Sequence, residues 1–176
     1  FLPVAVRLGL WADFDLRAVG LGLAWLEGQA DAELVVRISL PSLAQPDFLA
    51  RLREVLQTAA RLQRLCLELD AHGLVAYPQE VAEFCGAMAL AGAGVGLRRL
   101  DQQPMALPHL HTLALRYVKL GGDFAEQSWQ SPGALHLLQA MLHTAATLGI
   151  QVVVTDAVNG ETLRMLQAHG VLTPAI

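Results

Sequence analysis

Polar residues gather at the ends of five short apolar runs in this chain. Arg37 and Ser39 lie at the end of ELVVRISL, Glu68 and Asp70 at the end of RLCLEL, and Arg98, Arg99 and Asp101 at the end of GVGLRR. Lys119 stands in LRYVKL, and Asp156 ends IQVVVTD with Asn159 just beyond. Carboxylates in such a set can ligate a hard divalent cation or carry a proton, whereas lysine and arginine hold phosphate, arginine bidentately. One polar strand end needs no explanation beyond contact with water. Five in series describe the rim of a ligand site.

A rim exists only if those runs are parallel strands, and the change of hydrophobic period along the chain predicts that they are. Strands are expected at 33–40, 64–69, 94–99, 115–120 and 150–156, separated by helical patterns. Residues 13–28 place Phe14, Val19, Leu21, Leu23, Trp25 and Leu26 at broadly helical spacing. Pro46 and Asp47 open a helix whose stripe is Phe48, Leu49, Leu52, Val55, Leu56 and Leu62. Further helices are expected at 78–92, in a short piece near ALPHLHTLA, at 133–149 and at 159–170, with AEQSWQSPG as a polar loop. Strands alternating with helices through short loops mean right-handed crossover units and a parallel sheet covered on both faces.

Two α/β architectures fit, an open doubly wound sheet and a (β/α)-barrel. No G-x-G-x-x-G follows a first strand, and the G-x-G at 94–96 lies inside one, which weighs against a dinucleotide fold. A whole barrel takes about 250 residues. The chain is therefore read as one domain over residues 1–176, an incomplete barrel of about five parallel strands, and as a fragment whose missing strands another chain segment would complete.

Composition narrows the partners. With 54% hydrophobic and 16% charged residues and a net charge of −4, the chain has no general electrostatic pull toward nucleic-acid polymers or an anionic membrane. Any anion site must be local. No apolar run reaches the roughly 18 residues of a spanning helix. Cys66 and Cys85 lack metal or redox spacing and sit in apolar surroundings, which favours reduced core thiols and a cytoplasmic location. His109 and His111, and His136 and His143, lack acidic or cysteine neighbours at metal spacing and read as solvated or packing side chains. Ser39 lacks the G-x-S-x-G elbow of a serine nucleophile. Of the tryptophans, Trp25 fits a core stripe, and Trp129 is the one expected to be exposed and able to stack a base.

Five stretches in order resemble the EAL domain, the bacterial cyclic di-GMP phosphodiesterase and receptor fold. FLPVAVRLGLWADFD is similar to F-I-P-x-A-E-x-x-G-L-x-x-x-x-D, VRISLPSL to V-N-L-S-x-x-x-L, and CLELDA to x-E-I-T-E. GLRRLDQQPMALPHLHTLALRYVKLGGDF is similar to the segment from L-D-D-F-G to K-I-D-x-x-F, and VVTDAVNGETLRMLQAHGV to A-E-G-V-E-T-E-x-x-x-x-L-x-x-x-G. The resemblance implies a modified barrel with one antiparallel strand, and an E-A-L signature glutamate that would lie before Phe1.

The departures from the family pattern carry the functional expectation. Active members hold two Mg²⁺ or Mn²⁺ ions on oxygen ligands. Here the metal-binding Asn is matched by Arg37, the paired aspartates by Arg98 and Arg99, and the glutamates of A-E-G-V-E by Asp156 and Asn159. Glu68 and Lys119 are retained. Two unit charges about 4 Å apart interact by about 4 kcal/mol at an effective dielectric of 20, so one arginine facing a divalent ion is repelled by up to about twice that. Neighbouring strand residues point to opposite faces, so Arg98 and Arg99 are not expected to share a spot. The resemblance thus implies a degenerate EAL domain with no metal or other cofactor. Cyclic di-GMP would be bound by Arg37, Glu68, Arg98, Arg99, Lys119, Asp156 and Asn159 without hydrolysis, within a larger signalling protein. A second copy is a further candidate partner. The alternatives are a nucleotide-independent interaction or dimerisation module, with the arginines merely neutralising Glu68, Asp101 or Asp156, and a residually active phosphodiesterase.

Overall fold

The computed structural model describes residues 9–156, 159–169 and 171. Five strands, β1 (Leu34–Arg37), β2 (Leu65–Asp70), β3 (Gly94–Arg98), β4 (Tyr117–Gly121) and β5 (Gln151–Thr155), form one sheet. Every neighbouring pair is parallel, and the spatial order β1-β2-β3-β4-β5 is the chain order. Each crossover therefore steps one strand in the same direction, as along a barrel wall, whereas a doubly wound sheet reverses direction at a switch point. The structure is the wall of an incomplete (β/α)-barrel.

The helices are α1 (Trp11–Glu27), α2 (Leu40–Leu43), α3 (Phe48–Gln57), α4 (Gly73–Ala76), α5 (Pro78–Ala91), α6 (Gly122–Ser128), α7 (Pro132–Thr147) and α8 (Gly160–Ala168). Three 3-10 segments, Leu62–Arg64, Leu100–Gln102 and Pro104–Thr112, complete the connections. Gly92 ends α5 in a left-handed cap at φ 84°, and Ala93 N–H bonds back to Met88 C=O at 3.0 Å, which turns the chain directly into β3.

Alternation along the strands gives the sheet two unlike faces. Leu65, Leu67, Leu69, Val95, Leu97, Val118, Leu120, Val152 and Val154 are all buried and belong to one apolar cluster with the helices. At about 25 cal/mol per Å² of apolar surface, this helix-covered face supplies most of the driving force for folding. The opposite face carries Arg37, Cys66, Glu68, Asp70, Gly94, Gly96, Arg98, Tyr117 and Lys119. Arg37 is in register with Glu68, Glu68 with Gly96, and Gly96 with Tyr117.

Three sequence expectations change. The buried stripe of α1 is Ala12, Asp15, Leu16, Val19, Leu23 and Leu26, at regular three-and-four spacing, while Phe14, Leu21 and Trp25 are exposed. The apolar content of that helix misled because Ala12 and Asp15 take core positions that larger residues were expected to fill. Of the loop expected at 125–133, residues 125–128 belong to α6, and Trp129 at the C-terminal end of that helix packs against the core. Finally, the β1 run stops at Arg37, because Pro41 at the start of α2 and the bonds that Ser39 makes to Asp15 turn the chain into a helical turn.

Candidate functional site

The C-terminal ends of β1 to β5 enclose a cleft of about 300 Å³. Six of the seven residues expected to bind a ligand line it: Arg37, Glu68, Arg98, Arg99, Lys119 and Asp156. Asn159 is placed elsewhere. Its side-chain oxygen accepts from Thr162 N–H at 2.9 Å and caps the N-terminus of α8, as an Asn ahead of a helix commonly does.

Glu68 anchors the floor. It is 1% exposed, and a carboxylate at that depth needs compensating donors. Tyr117 Oη donates to Oε1 at 2.9 Å, Lys119 Nζ pairs with the same oxygen, and Arg37 Nε donates to Oε2 at 3.2 Å. Burial pushes the carboxyl up, but the donors from Lys119, Tyr117 and Arg37 outweigh it and hold Glu68 below the usual carboxylate range. Burial, with the neighbouring Cys66 and Glu68, pushes the Tyr117 phenol far up, so it stays a donor.

Tyr117 was not singled out from sequence. The signal that could have found it is Gly96. A Cβ at that position would lie 2.2 Å from Tyr117 Cζ, so the ring crosses the sheet through space that only glycine leaves open.

Arg98 and Arg99 share the cleft, contrary to the alternation argument. Arg98 is the last residue of β3 and faces the cleft in register with Asp70. Arg99 has φ 59° and ψ 37°, a left-handed conformation that takes it out of the strand and swings its side chain to the same side. Such a backbone costs a non-glycine residue about 1–2 kcal/mol. Asp70 opposes that cost: it forms an ion pair with Arg99, and its Oδ1 meets His72 Nδ1 at 2.6 Å and accepts from His72 N–H at 3.1 Å. Burial raises the Asp70 carboxyl, but His72 and Arg99 bring it below its ordinary value. The Arg98 side chain has no ion pair or hydrogen-bond partner among the described residues, while its backbone carbonyl accepts from Ala71 N–H at 2.9 Å.

Asp101, Gln102 and Thr155 complete the wall. Asp101 Oδ1 accepts from Gly121 N–H at 3.0 Å, which ties the Leu100–Gln102 turn to the end of β4. Thr155 Oγ1 lies 3.2 Å from Asp156 Oδ2. Asp156, like Arg99, has a positive φ, of 72°. Ser39 Oγ bonds to Asp15 at 3.2 Å, a structural contact away from the lining. His109, His111, His136 and His143 are exposed.

The two-cation oxygen cage implied by the resemblance does not fit these residues. Both oxygens of Glu68 are engaged by Tyr117, Lys119 and Arg37, and arginines stand where further oxygen ligands would be needed. Among the described residues no three His, Cys, Asp or Glu side chains group so as to hold a metal ion.

The sequence matches the family model for the EAL domain over residues 1–173. The chain is an EAL domain. Its fold is similar to the S helix–GGDEF–EAL structure of LapD from Vibrio cholerae, at 24% identity over 97% of this chain and 42% of that one. The TM-score is 0.86 for the apo form and 0.87 for the form bound to c-di-GMP. The FimX EAL domain from Pseudomonas aeruginosa bound to c-di-GMP aligns at 18% identity over 97% of this chain and 70% of that one, with a TM-score of 0.83. At such identities the likeness concerns the fold. This EAL domain spans less than half of the LapD structure, and no curated protein matches it. Among its described residues no helix is long and apolar enough to cross a membrane.

Proposed function

We propose that this EAL domain binds cyclic di-GMP as a receptor and does not hydrolyse it. The observation that carries the reading is Arg98, a guanidinium in the cleft with no described partner, beside Arg37, Arg99 and Lys119. A guanidinium can grip a phosphodiester by two parallel hydrogen bonds, and fixed positive charge in a cleft does so without generating a metal-bound nucleophile. Asp156, after β5, and Asp101, beside the arginines at the tip of β3, supply acceptors for base or ribose donors. Asn159 enters this reading only by holding the start of α8. The c-di-GMP-bound LapD and FimX structures share the fold and lend the ligand class support. Occupancy would bias the conformation or association of a larger cytoplasmic signalling protein, a second copy of the domain included.

A second reading rests on the pairs within the cleft. Arg37 and Lys119 neutralise Glu68, and Arg99 neutralises Asp70. Three of the four cations thus have internal partners, as in a site converted to an interaction module. Titration calorimetry with cyclic di-GMP, followed by long incubation with Mg²⁺ or Mn²⁺ and chromatography of the nucleotide, separates the readings. Binding with the nucleotide recovered intact is expected. Absence of binding favours the interaction module, and metal-dependent linear product would overturn the inactive reading altogether.

A further inference from the structure

We infer that Asp70 and His72 are positioning residues for Arg99, and that through them the cleft holds a phosphodiester anion more tightly as the pH falls. This rests on the receptor reading above. Neither residue lines the cleft. They act on it through an ordered series: His72 Nδ1 and its backbone N–H on Asp70 Oδ1, Asp70 on Arg99, and Arg99 in the cleft wall.

Geometry sets the direction of the effect. Arg99 occupies a strained left-handed backbone, and the described residue that pairs with its side chain is Asp70, which is 9% exposed. The guanidinium has five N–H donors, so a carboxylate on one terminal nitrogen orients the group and leaves other donors for a ligand. When His72 is neutral, the Asp70 charge is balanced by Arg99 alone, which lowers the attraction of Arg99 for an incoming anion. When His72 is protonated it takes up that negative charge, and Arg99 meets the phosphodiester with more of its own. Histidine is the side-chain type whose charge changes between about pH 5 and 8. Glu68 and Asp70 are held below the ordinary carboxylate range and stay ionised there, and the phosphodiester keeps one negative charge.

Other titratable groups near the turn do not intervene. The elements packed against α4 are α5, which carries Glu80 and Glu83, and the Pro104–Thr112 segment, which carries His109 and His111. Glu80 and Glu83 line a groove with Leu43 and Phe48, and His111 lines one with His143. None forms a hydrogen bond or ion pair with His72 among the described residues. On the cleft side, the tip of β3 brings Arg98, Arg99 and Asp101.

The test is calorimetric titration of the domain with cyclic di-GMP between about pH 8 and about pH 6, for the unaltered chain, His72→Gln and Asp70→Asn. Affinity is expected to rise by about fivefold as the pH falls, the size of one added charge acting across a wet cleft. Proton uptake on binding should appear as a heat that depends on the buffer's ionisation enthalpy. His72→Gln should bind with a flat pH profile and no buffer-dependent heat, and Asp70→Asn, which removes the charge that couples His72 to Arg99, should flatten the profile likewise. Binding whose pH dependence survives His72→Gln would overturn the inference and leave the receptor reading standing. Absence of binding at every pH would overturn both. Thermal melting of the same variants accompanies each titration, so that loss of fold is not read as loss of affinity.

Discussion

The two faces of the sheet are built from alternate residues of the same strands, yet they obey opposite rules. On the helix side, Leu65, Leu67 and Leu69 are fully buried among apolar neighbours. On the other side, Cys66, Glu68 and Asp70 alternate with them in sequence, and the space above is shaped by Gly94, Gly96 and the ring of Tyr117. The first face tolerates little change of volume, because packing is its only source of stability. The second is organised by charge, and its carboxylates are held by donors from β1 and β4 and from the turns that follow β2 and β3. The candidate site thus lies on a surface that contributes little apolar burial, one residue away from the surface that holds the fold.

Breaking the apolar face should have the largest effect. Leu67→Ala removes a fully buried side chain and is expected to cost about 2–5 kcal/mol, read as a lowered melting temperature, with ligand affinity of the folded fraction unchanged. A loss of affinity without loss of stability would show that the faces are not separable.

On the charged face, Glu68→Gln should move stability and affinity in opposite directions. It leaves Lys119 without its charge partner, at a cost of about 2–3 kcal/mol, below the usual range for a broken buried pair because the Arg37 side chain is 70% exposed and contributes little. The same change frees two cations for phosphate, so cyclic di-GMP should bind more tightly. Weaker binding would mean that Glu68 contacts the ligand directly.

Arg98→Ala should act on affinity alone. Loss of a charge-assisted contact worth about 1.5–3 kcal/mol is tenfold or more in binding. Melting should stay unchanged, since no described partner is left behind. Lowered melting with unchanged affinity would sink the receptor reading.

The dependence of stability on pH gives a further contrast. Glu68 and Asp70 are held below their ordinary values, so their contribution is complete above the ordinary carboxylate range and is lost as the pH falls through their lowered values. Asp15 behaves oppositely. Burial raises it despite its bonds from Ser42 and Ser39, so its contribution is complete below its ordinary value and is lost as the pH rises through the raised one. Urea unfolding from neutral to acidic pH should show a shallower acid loss in Glu68→Gln, and Asp15→Asn should remove the opposing slope.

The smallest effect is expected from Arg99→Gly. Relief of the left-handed backbone and loss of a half-exposed ion pair nearly cancel, within about 1 kcal/mol of melting stability, while phosphate affinity falls.

The strands, their parallel order and six of the cleft residues were legible in the sequence, because buried parallel strands read as apolar runs and ligands gather at their C-terminal ends. What escaped depended on backbone angles or on long-range contacts. Nothing local announces that Arg99 adopts a positive φ, and the strand period, extended one residue too far, pointed it to the wrong face. Tyr117 reaches Glu68 across 49 residues of sequence, and only Gly96 in the intervening strand hints at its path. Trp25 and Trp129 exchanged their expected exposures, because α1 buries Asp15 and α6 covers what looked like a polar loop.

The buried Asp15 has a mechanical consequence. Its two oxygens hold Ser39 N–H at 2.7 Å, Ser39 Oγ at 3.2 Å and Ser42 Oγ at 2.6 Å, which rivets α1 to the chain just after β1. Arg37 is two residues from that rivet. Helix α1, 17 residues long, is therefore pinned near its N-terminal end to the segment that directly follows the arginine at the mouth of the cleft.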